Sequence, residues 1–404
     1  MAQTENGKQK IEQILLDMLA NSLFNAGKPV ENADVNRLLV WYESYVQAVS
    51  LTAFVGGTPA GCDEKDLASI RRKLNDALRS AVNVNKEHIR LHKIMTEANI
   101  PYVILKGLAS AQYYPDPLMR SMGDVDFLIK SEYVDEACKV LEQNGFKRYP
   151  KEHEKHIVYL DGNGHYEMHT IPAGVPDGEN GEKIKSMLEN IIDDSREVQT
   201  DFGTVRVPSH FHHGLVMLLH ICSHLAVEGI GLRHLCDWAV FVSHFPESTF
   251  KSLFEEKLKS VGLWRLAVIL TQVCIKYLGC PPCDWVGEEQ TDSVDGMMAD
   301  IFKSGNLGQK NPSSLQESLF VNTDSTKKSF IKHLFRSVNS IVCFYWKSAR
   351  KFKVLLPFGW LWFGGRYIIR SIFGKRPKIN LKTVRTKANA RTDLYEDIKL
   401  FKPE

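Results

Sequence analysis

The segment Arg120-Ser121-Met122-Gly123-Asp124-Val125-Asp126-Phe127-Leu128-Ile129 carries two carboxylates two residues apart. On a strand such a pair points to one face. Gly123 stands at the strand's start, where backbone can approach a ligand closely. Two carboxylates on one face repel each other unless they are solvated or a divalent cation sits between them. Mg²⁺ takes oxygen ligands and is completed by substrate phosphates and water. With two ions, such a site suits phosphoryl transfer: one lowers the pKa of the acceptor oxygen and the other holds a triphosphate. A third carboxylate is available in Tyr166-Glu167-Met168-His169. Glu167 is expected to share a metal with Asp126 or to orient the attacking hydroxyl as a base. The plainer alternative is an exposed glutamate on an edge strand. Upstream, Lys106-Gly107 closes an apolar run. Backbone N–H groups at the start of the following helix form an anion site. Lys106 adds a point charge for phosphate, and Gly107 permits close approach. Arg120 reads either as a bidentate phosphate clamp or as a surface arginine in a loop.

The elements that must position these residues follow from periodicity. Lys8 to Ala26, Asp34 to Phe54 and Asp66 to Ala98 read as helices, the last stopped by Asn99-Ile100-Pro101. Tyr102 to Leu105 reads as a buried strand, Leu108 to Tyr114 as a short helix and Asp124 to Ile129 as a second strand. A helix from Ser131, an expected N-cap, to Asn144 is stopped by Gly145. His156 to Leu160 and His165 to Thr170 read as a hairpin turning at Asp161-Gly162-Asn163-Gly164. Helical periodicity returns over Phe211 to Leu225, Leu232 to Val242 and Phe250 to Leu278.

Val103-Ile104-Leu105-Lys106-Gly107, Tyr113-Tyr114-Pro115, Arg120 and Gly123-Asp124-Val125-Asp126-Phe127-Leu128-Ile129 together resemble the uncharacterised nucleotidyltransferase family of the polymerase-beta-like superfamily. Tyr166-Glu167-Met168-His169 resembles its third-carboxylate strand. The superfamily's first strand usually ends in Gly-Gly or Gly-Ser, and Lys106-Gly107 stands in for it here. The resemblance runs from about Ile100 to Val242. It implies an α+β fold: a small mixed-sheet nucleotidyltransferase core flanked by helical N-terminal and C-terminal regions. The divisions expected are a helical region over 1–99, a catalytic core over 100–207, a helical domain closing the nucleotide cleft over 208–303, a linker over 304–326 and a basic, aromatic-rich region over 327–404. The implied activity is Mg²⁺-dependent transfer of a nucleoside monophosphate from an NTP such as ATP to an unidentified hydroxyl acceptor, releasing pyrophosphate. Asp124, Asp126 and Glu167 would hold two Mg²⁺ ions, and Lys106 and Gly107 would face the phosphates.

Seven of the 14 histidines fall between His210 and His244. His220 and His224 share a helix face, but the His-Ile-Cys-Ser-His pattern lacks the glutamate of a zinc-protease helix. A structural zinc with His234 or Cys236 is the minor reading. Arg233 and Asp237 are spaced to pair on one helix. The segment from His224 to Asp237 resembles the one that follows the core in the same family, which implies that the pair either locks the helical domain or lines the nucleotide cleft. A structural pair, with His224 or Arg233 exposed to the cleft, is the favoured reading. Cys280-Pro281-Pro282-Cys283 reads as a turn, since no second cysteine pair lies near it.

Charge is divided unevenly. Residues 1–324 hold 32 lysines and arginines against 44 acids, a net of −12, whereas residues 325–392 hold 17 cations and no acid. In that tail, Phe344-Tyr345-Trp346, Phe352, Phe358-Gly359-Trp360-Leu361-Trp362-Phe363 and Tyr367 interleave aromatics with cations. Packing on the acidic body is the first reading, an anionic membrane surface the second and nucleic acid the third. No basic-plus-apolar leader begins at Met1, so the expected place is the cytoplasm, with peripheral binding at the inner membrane surface. The competing functions are a toxin-like transferase modifying tRNA or protein, a non-catalytic nucleotide-binding scaffold, and a zinc hydrolase built on His220 and His224.

Overall fold

The computed structural model describes residues 2–30, 35–55, 64–150, 156–162, 164–176, 178–225, 228–310, 339, 342–343, 346–372 and 397–403. Within these the fold is α+β. Helices α1 (Ala2–Phe24), α2 (Arg37–Val46) and α3 (Ser50–Phe54) precede the 34-residue α4 (Glu64–Glu97). The single helix expected over 34–54 is two helices. Ala48 adopts φ 57°, and the Val49 N–H closes back on the Ser44 carbonyl at 2.9 Å, which ends α2. Helix α4 ends in a related way: Asn99 takes φ 55° and the Ile100 N–H donates to the Met95 carbonyl at 2.9 Å.

Strand β1 (Tyr102–Ile104) leads through Lys106-Gly107 into the one-turn α5 (Leu108–Ala111), and β2 (Val125–Ile129) follows. After β2 come α6 (Val134–Gln143), β3 (Lys147–Arg148), β4 (His156–Asp161) and β5 (Gly164–His169). Ser131 begins a 3₁₀ turn ahead of α6 and makes no side-chain cap bond to it. Asn163 of the expected hairpin turn lies outside the described residues. The sheet order is β1-β2-β5-β4-β3. Strand β2 runs antiparallel to β1 and parallel to β5, so the sheet is mixed.

Alternation splits the sheet into two faces. Tyr102, Ile104, Val125, Phe127, Ile129, Tyr166 and Met168 pack with Leu91, Ile94 and Met95 of α4 and Leu141 of α6. The other face, with Val103, Leu105 and Leu128, joins the larger core of the helical half. Helix α4 serves both cores: Ile70 belongs to the larger, Val84 to Met95 to the smaller. A hairpin that periodicity does not reveal, β6 (Arg196–Thr200) with β7 (Gly203–Val207), buries Val205 and Val207 in the smaller core.

The helical half comprises α7 (Glu179–Leu188), α8 (His210–Leu225), α9 (Leu232–Ser243), α10 (Glu247–Ser260), α11 (Trp264–Leu278) and α12 (Thr291–Ser304). The expected Phe250–Leu278 helix is split between α10 and α11 at Gly262, whose φ is 68°. Trp238 anchors this half, fully buried, with its indole N–H on Thr271 Oγ1 at 2.9 Å. Cys280 is buried with Sγ 3.1 Å from Ser243 Oγ, and the described cysteines are free thiols. Most of the expected 304–326 linker, and the tail residues Phe344 and Tyr345, lie outside the described residues.

Two glycines precede the carboxylate strand in sequence but differ in what they require. Gly107 has φ 61°, and a Cβ there would meet Nε2 of His88, on α4, at 2.5 Å. At Gly123 a Cβ would meet nothing within 4 Å, and its φ is not left-handed. Gly107→Ala is therefore expected to lower unfolding free energy by about 2 kcal/mol or more, through backbone strain and overpacking. Gly123→Ala is expected to stay within about 0.5 kcal/mol of wild type. Urea melts of the two variants check both.

Candidate active site

The parallel register sets Asp126 of β2 directly beside Glu167 of β5, and the β4–β5 register sets His156 beside His169. Period-two alternation then gathers Asp126, His165, Glu167, His169 and His156 on one face, with Asp124 at its edge. This face looks toward α8 and α9 across a cavity of 480 Å³. Lys106, Gly107, Arg120, Gly123, Asp124, Asp126, Glu167, His224 and Arg233 all line it, so the topology brings every site residue named from sequence to one place.

Asp126 is 1% exposed. Its Oδ1 accepts from Lys106 Nζ at 2.9 Å and lies 3.1 Å from His169 Nε2. Burial alone would raise its pKa, but Lys106 and His169 outweigh burial and hold it well below the usual carboxylate range. Lys106 is delivered to this spot because Leu105, just past β1, donates its N–H to the Asp126 carbonyl at 2.9 Å. His169 in turn has a raised pKa: burial opposes its charge, and the two acids overcome that. Glu167 has His169 Nε2 at 3.6 Å, His156 Nε2 at 3.7 Å and His165 Nδ1 at 4.0 Å. The His169 contact holds Glu167 ionised below its ordinary pKa. Asp124 is the opposite case. Burial first, then the charge of Asp126, push its pKa up.

That repulsion is what a divalent cation relieves. Ligand atoms of Asp124, His165 and Glu167 lie within 4.8 Å of one another. Mg²⁺–oxygen distances are about 2.1 Å, so the two carboxylates fit either side of one ion after small adjustment. Asp124 and Glu167 offer oxygen ligands of the type Mg²⁺ takes, and His165 Nδ1 completes that group. Asp126, in the same cavity wall, lies outside it with Oδ1 engaged by Lys106 and His169.

The opposite wall departs from the expectation. Asp237 does not pair with Arg233. It receives Arg120 bidentately, Nε to Oδ1 and Nη2 to Oδ2, both at 2.7 Å, and the Tyr114 hydroxyl at 2.8 Å. Arg120 is thereby held inside the protein with its fork turned to Asp237, which reduces what it can offer a phosphate. Burial works against the Arg120 cation, yet Asp237 raises its pKa. The Arg233 guanidinium has no hydrogen bond or ion pair among the described residues, and burial lowers its pKa. The N-terminal helices hold both arginines in place. Thr52 Oγ1 of α3 donates to the Met119 carbonyl at 2.8 Å, and Gln47 Oε1 receives the Leu232 N–H at 3.0 Å.

Beside Arg233 stand three imidazoles. His220 and His224 pack edge to face at 4.4 Å, and His234 lies 5.3 and 5.7 Å from them. His224 Nδ1 is 3.1 Å from Glu228 Oε2. His234 Nδ1 receives the Gly231 N–H at 3.3 Å, which places its own proton on Nε2. His220 Nδ1 and His234 Nε2 have no partner among the described residues. Burial lowers the pKa of His220 and of His234, keeping both rings neutral at pH 7.

Sequence reasoning missed His169, His156 and His88. His169 was findable, since it lies two residues from Glu167 on a strand and shares its face. His156 depends on the hairpin register. His88 comes from a helix 19 residues before Gly107, and no spacing rule links them.

The two aspartates are expected to respond oppositely to neutralisation in metal-free protein. Asp126→Asn leaves Lys106 and His169 without their shared anion and should cost about 1.5–3 kcal/mol. Asp124→Asn removes a repulsion and should raise the melting temperature slightly, by less than about 1 kcal/mol in stability. Because the folded pKa of Asp126 is depressed, its contribution is full above about pH 4 and is lost as pH falls through the folded value. Asp126→Asn should therefore flatten the acid limb of the stability–pH curve. Calorimetry of the three proteins in chelator across acid pH checks these signs.

No curated protein matches the chain. A solved antigenic nucleotidyltransferase-like protein from Paracoccidioides brasiliensis is similar at 14% identity and a TM-score of 0.32, covering 53% of this chain and 98% of that one. The family model described as uncharacterised nucleotidyltransferase matches residues 56–279, more than half of the chain. These residues include both walls of the cavity, and the chain belongs to that uncharacterised nucleotidyltransferase family.

Proposed function

We propose that the protein transfers a nucleoside monophosphate from an NTP to a hydroxyl acceptor in an Mg²⁺-dependent reaction that releases pyrophosphate. One observation carries this reading: Asp124, Asp126 and Glu167 share a sheet face directly across a 480 Å³ cavity from the unpaired guanidinium of Arg233. Opposed walls of unlike charge suit a ligand that is itself a cation–polyanion complex.

The carboxylates would hold Mg²⁺, which when bound activates the acceptor oxygen and neutralises triphosphate charge. The chain's own groups divide the remaining work. Arg233 offers a planar fork of N–H donors to phosphate oxygens from a site where water screens it little. The His234 Nε2–H adds a neutral donor on the same wall. Lys106 is committed to Asp126, so its role is to keep that carboxylate ionised and oriented. Glu167, with a depressed pKa, is poorly matched to proton abstraction near neutral pH and better matched to cation binding. The one-turn α5 is too short to supply a strong helix dipole, so the phosphate contacts expected of Lys106-Gly107 rest on local backbone alone.

The imidazole cluster supports a donor wall over a zinc site. Ligand atoms of His220, His224 and His234 do lie within 4.8 Å of one another. However, the Gly231 N–H occupies the His234 Nδ1 lone pair, and burial first, then the Lys106 cation, lower the pKa of His220 and disfavour a further cation beside it. Tightly bound zinc in purified protein, found by elemental analysis, would overturn this choice.

In a thermal-shift series over the four NTPs, at least one is expected to stabilise the protein only when Mg²⁺ is present. The shift should vanish in Asp124→Ala/Asp126→Ala. Arg233→Ala should weaken that nucleotide about tenfold or more, about 1.4 kcal/mol, while leaving the nucleotide-free protein about as stable, because the half-buried guanidinium makes no hydrogen bond or ion pair among the described residues. A nucleotide shift that is unchanged in the double variant would contradict the proposal.

A further inference from the structure

Large apolar side chains exposed one at a time need no explanation, but a cluster does. Five of them, Phe352, Val354, Phe358, Leu361 and Trp362, lie within eleven residues, with exposures of 56, 73, 62, 75 and 57%. Three belong to the helix Leu356–Ile372, where positions 358, 361 and 362 fall on one face.

That face is the outer one of a helix whose inner face is already used. Gly359 is seated so closely that a Cβ would meet Val342 Cγ1 at 2.2 Å. The Trp360 indole N–H donates to Asn339 Oδ1 at 2.9 Å, and Phe363 lies 6.3 Å from Trp346. The inner face thus packs on the chain just before it, and a second apolar stripe is left outward.

Charge selects the occupant. Lys351, Lys353 and Arg366 are exposed around the stripe, and residues 325–392 contain 17 cations and no acid. A face of Val, Leu, Phe and Trp whose charged neighbours among the described residues of the segment are cations matches a surface that is anionic outside and apolar within. Single-stranded nucleic acid would stack on the aromatics but gives Val354 and Leu361 nothing to bury against. Among the described residues no helix is long and apolar enough to cross a membrane, so this one would lie along a surface rather than span it.

We propose that the segment from Phe352 through the helix Leu356–Ile372 docks the protein on anionic lipid bilayers, with Phe358, Leu361 and Trp362 entering the headgroup–acyl boundary. The inference is independent of the catalytic reading. It would bring the cavity to acceptors held at a membrane.

Co-sedimentation of the full-length protein with vesicles tests it. The protein is expected to bind phosphatidylcholine vesicles containing phosphatidylglycerol and not pure phosphatidylcholine vesicles, with binding reduced by salt. Leu361→Glu/Trp362→Glu should weaken binding about tenfold or more. Both positions are exposed, so the melting temperature should stay at the wild-type value. Lys351→Glu/Lys353→Glu should reduce binding and its salt dependence together, and provides an independent check should the first variant misfold. No binding to anionic vesicles would overturn the proposal. So would equal binding by both variants, or binding of single-stranded RNA in place of vesicles.

Discussion

A carboxylate as deeply buried as that of Asp126 stays ionised only if the fold brings cations to it. Two separate pieces of the chain meet that requirement, and a third supports one of them. The end of β1 carries Lys106 to one oxygen, and β5 brings His169 to the same atom. Helix α4 fills the space behind the Lys106-Gly107 turn with the His88 ring. The parallel pairing of β2 with β5 is what makes this geometry unavoidable, and it also brings Glu167 alongside. Once Asp126 is ionised, Asp124 is left facing a fixed negative charge. Lys106 and Arg233 offset that repulsion only in part, and a carboxylate kept under such strain belongs to function more naturally than to stability.

The second wall is built by a different economy of charge. Asp237 and Tyr114 take Arg120 out of circulation and so tie the loop before β2 to α9. A buried ion pair of this kind adds little net stability, since desolvation offsets much of its attraction, but it fixes the relative position of the parts it joins. Its consequence is that Arg233, four residues from Asp237, keeps its guanidinium unpaired and turned to the cavity lining. The N-terminal helices, which carry no chemistry of their own, hold the two ends of this arrangement through Thr52 and Gln47.

Much of the carboxylate wall was legible in the sequence because it depends on short-range rules. The alternation of Asp124 and Asp126, the Lys-Gly punctuation after a strand and the Glu167 strand are all read within a few residues. What was not legible depends on which distant elements meet. The spacing of Arg233 and Asp237 suggested a pair, but a buried partner 117 residues away in sequence outcompeted the local one. Helix ends at Ala48 and Gly262 were missed because apolar periodicity continues across them, while the break is made by a left-handed residue. The β6–β7 hairpin was missed because its residues alternate weakly and only Val205 and Val207 are fully buried.

In the proposed reaction the repulsion among Asp124, Asp126 and Glu167 is resolved by a divalent cation carried with a nucleotide. Titration of the full-length protein with Mn²⁺, followed by electron paramagnetic resonance with and without a non-hydrolysable NTP, tests it most directly. Free Mn²⁺ signal is expected to be lost to the protein when the nucleotide is present, beyond what the nucleotide alone binds, and Asp124→Ala/Glu167→Ala is expected to abolish the extra loss. Equal Mn²⁺ uptake by wild type and variant, or none by either, would contradict it.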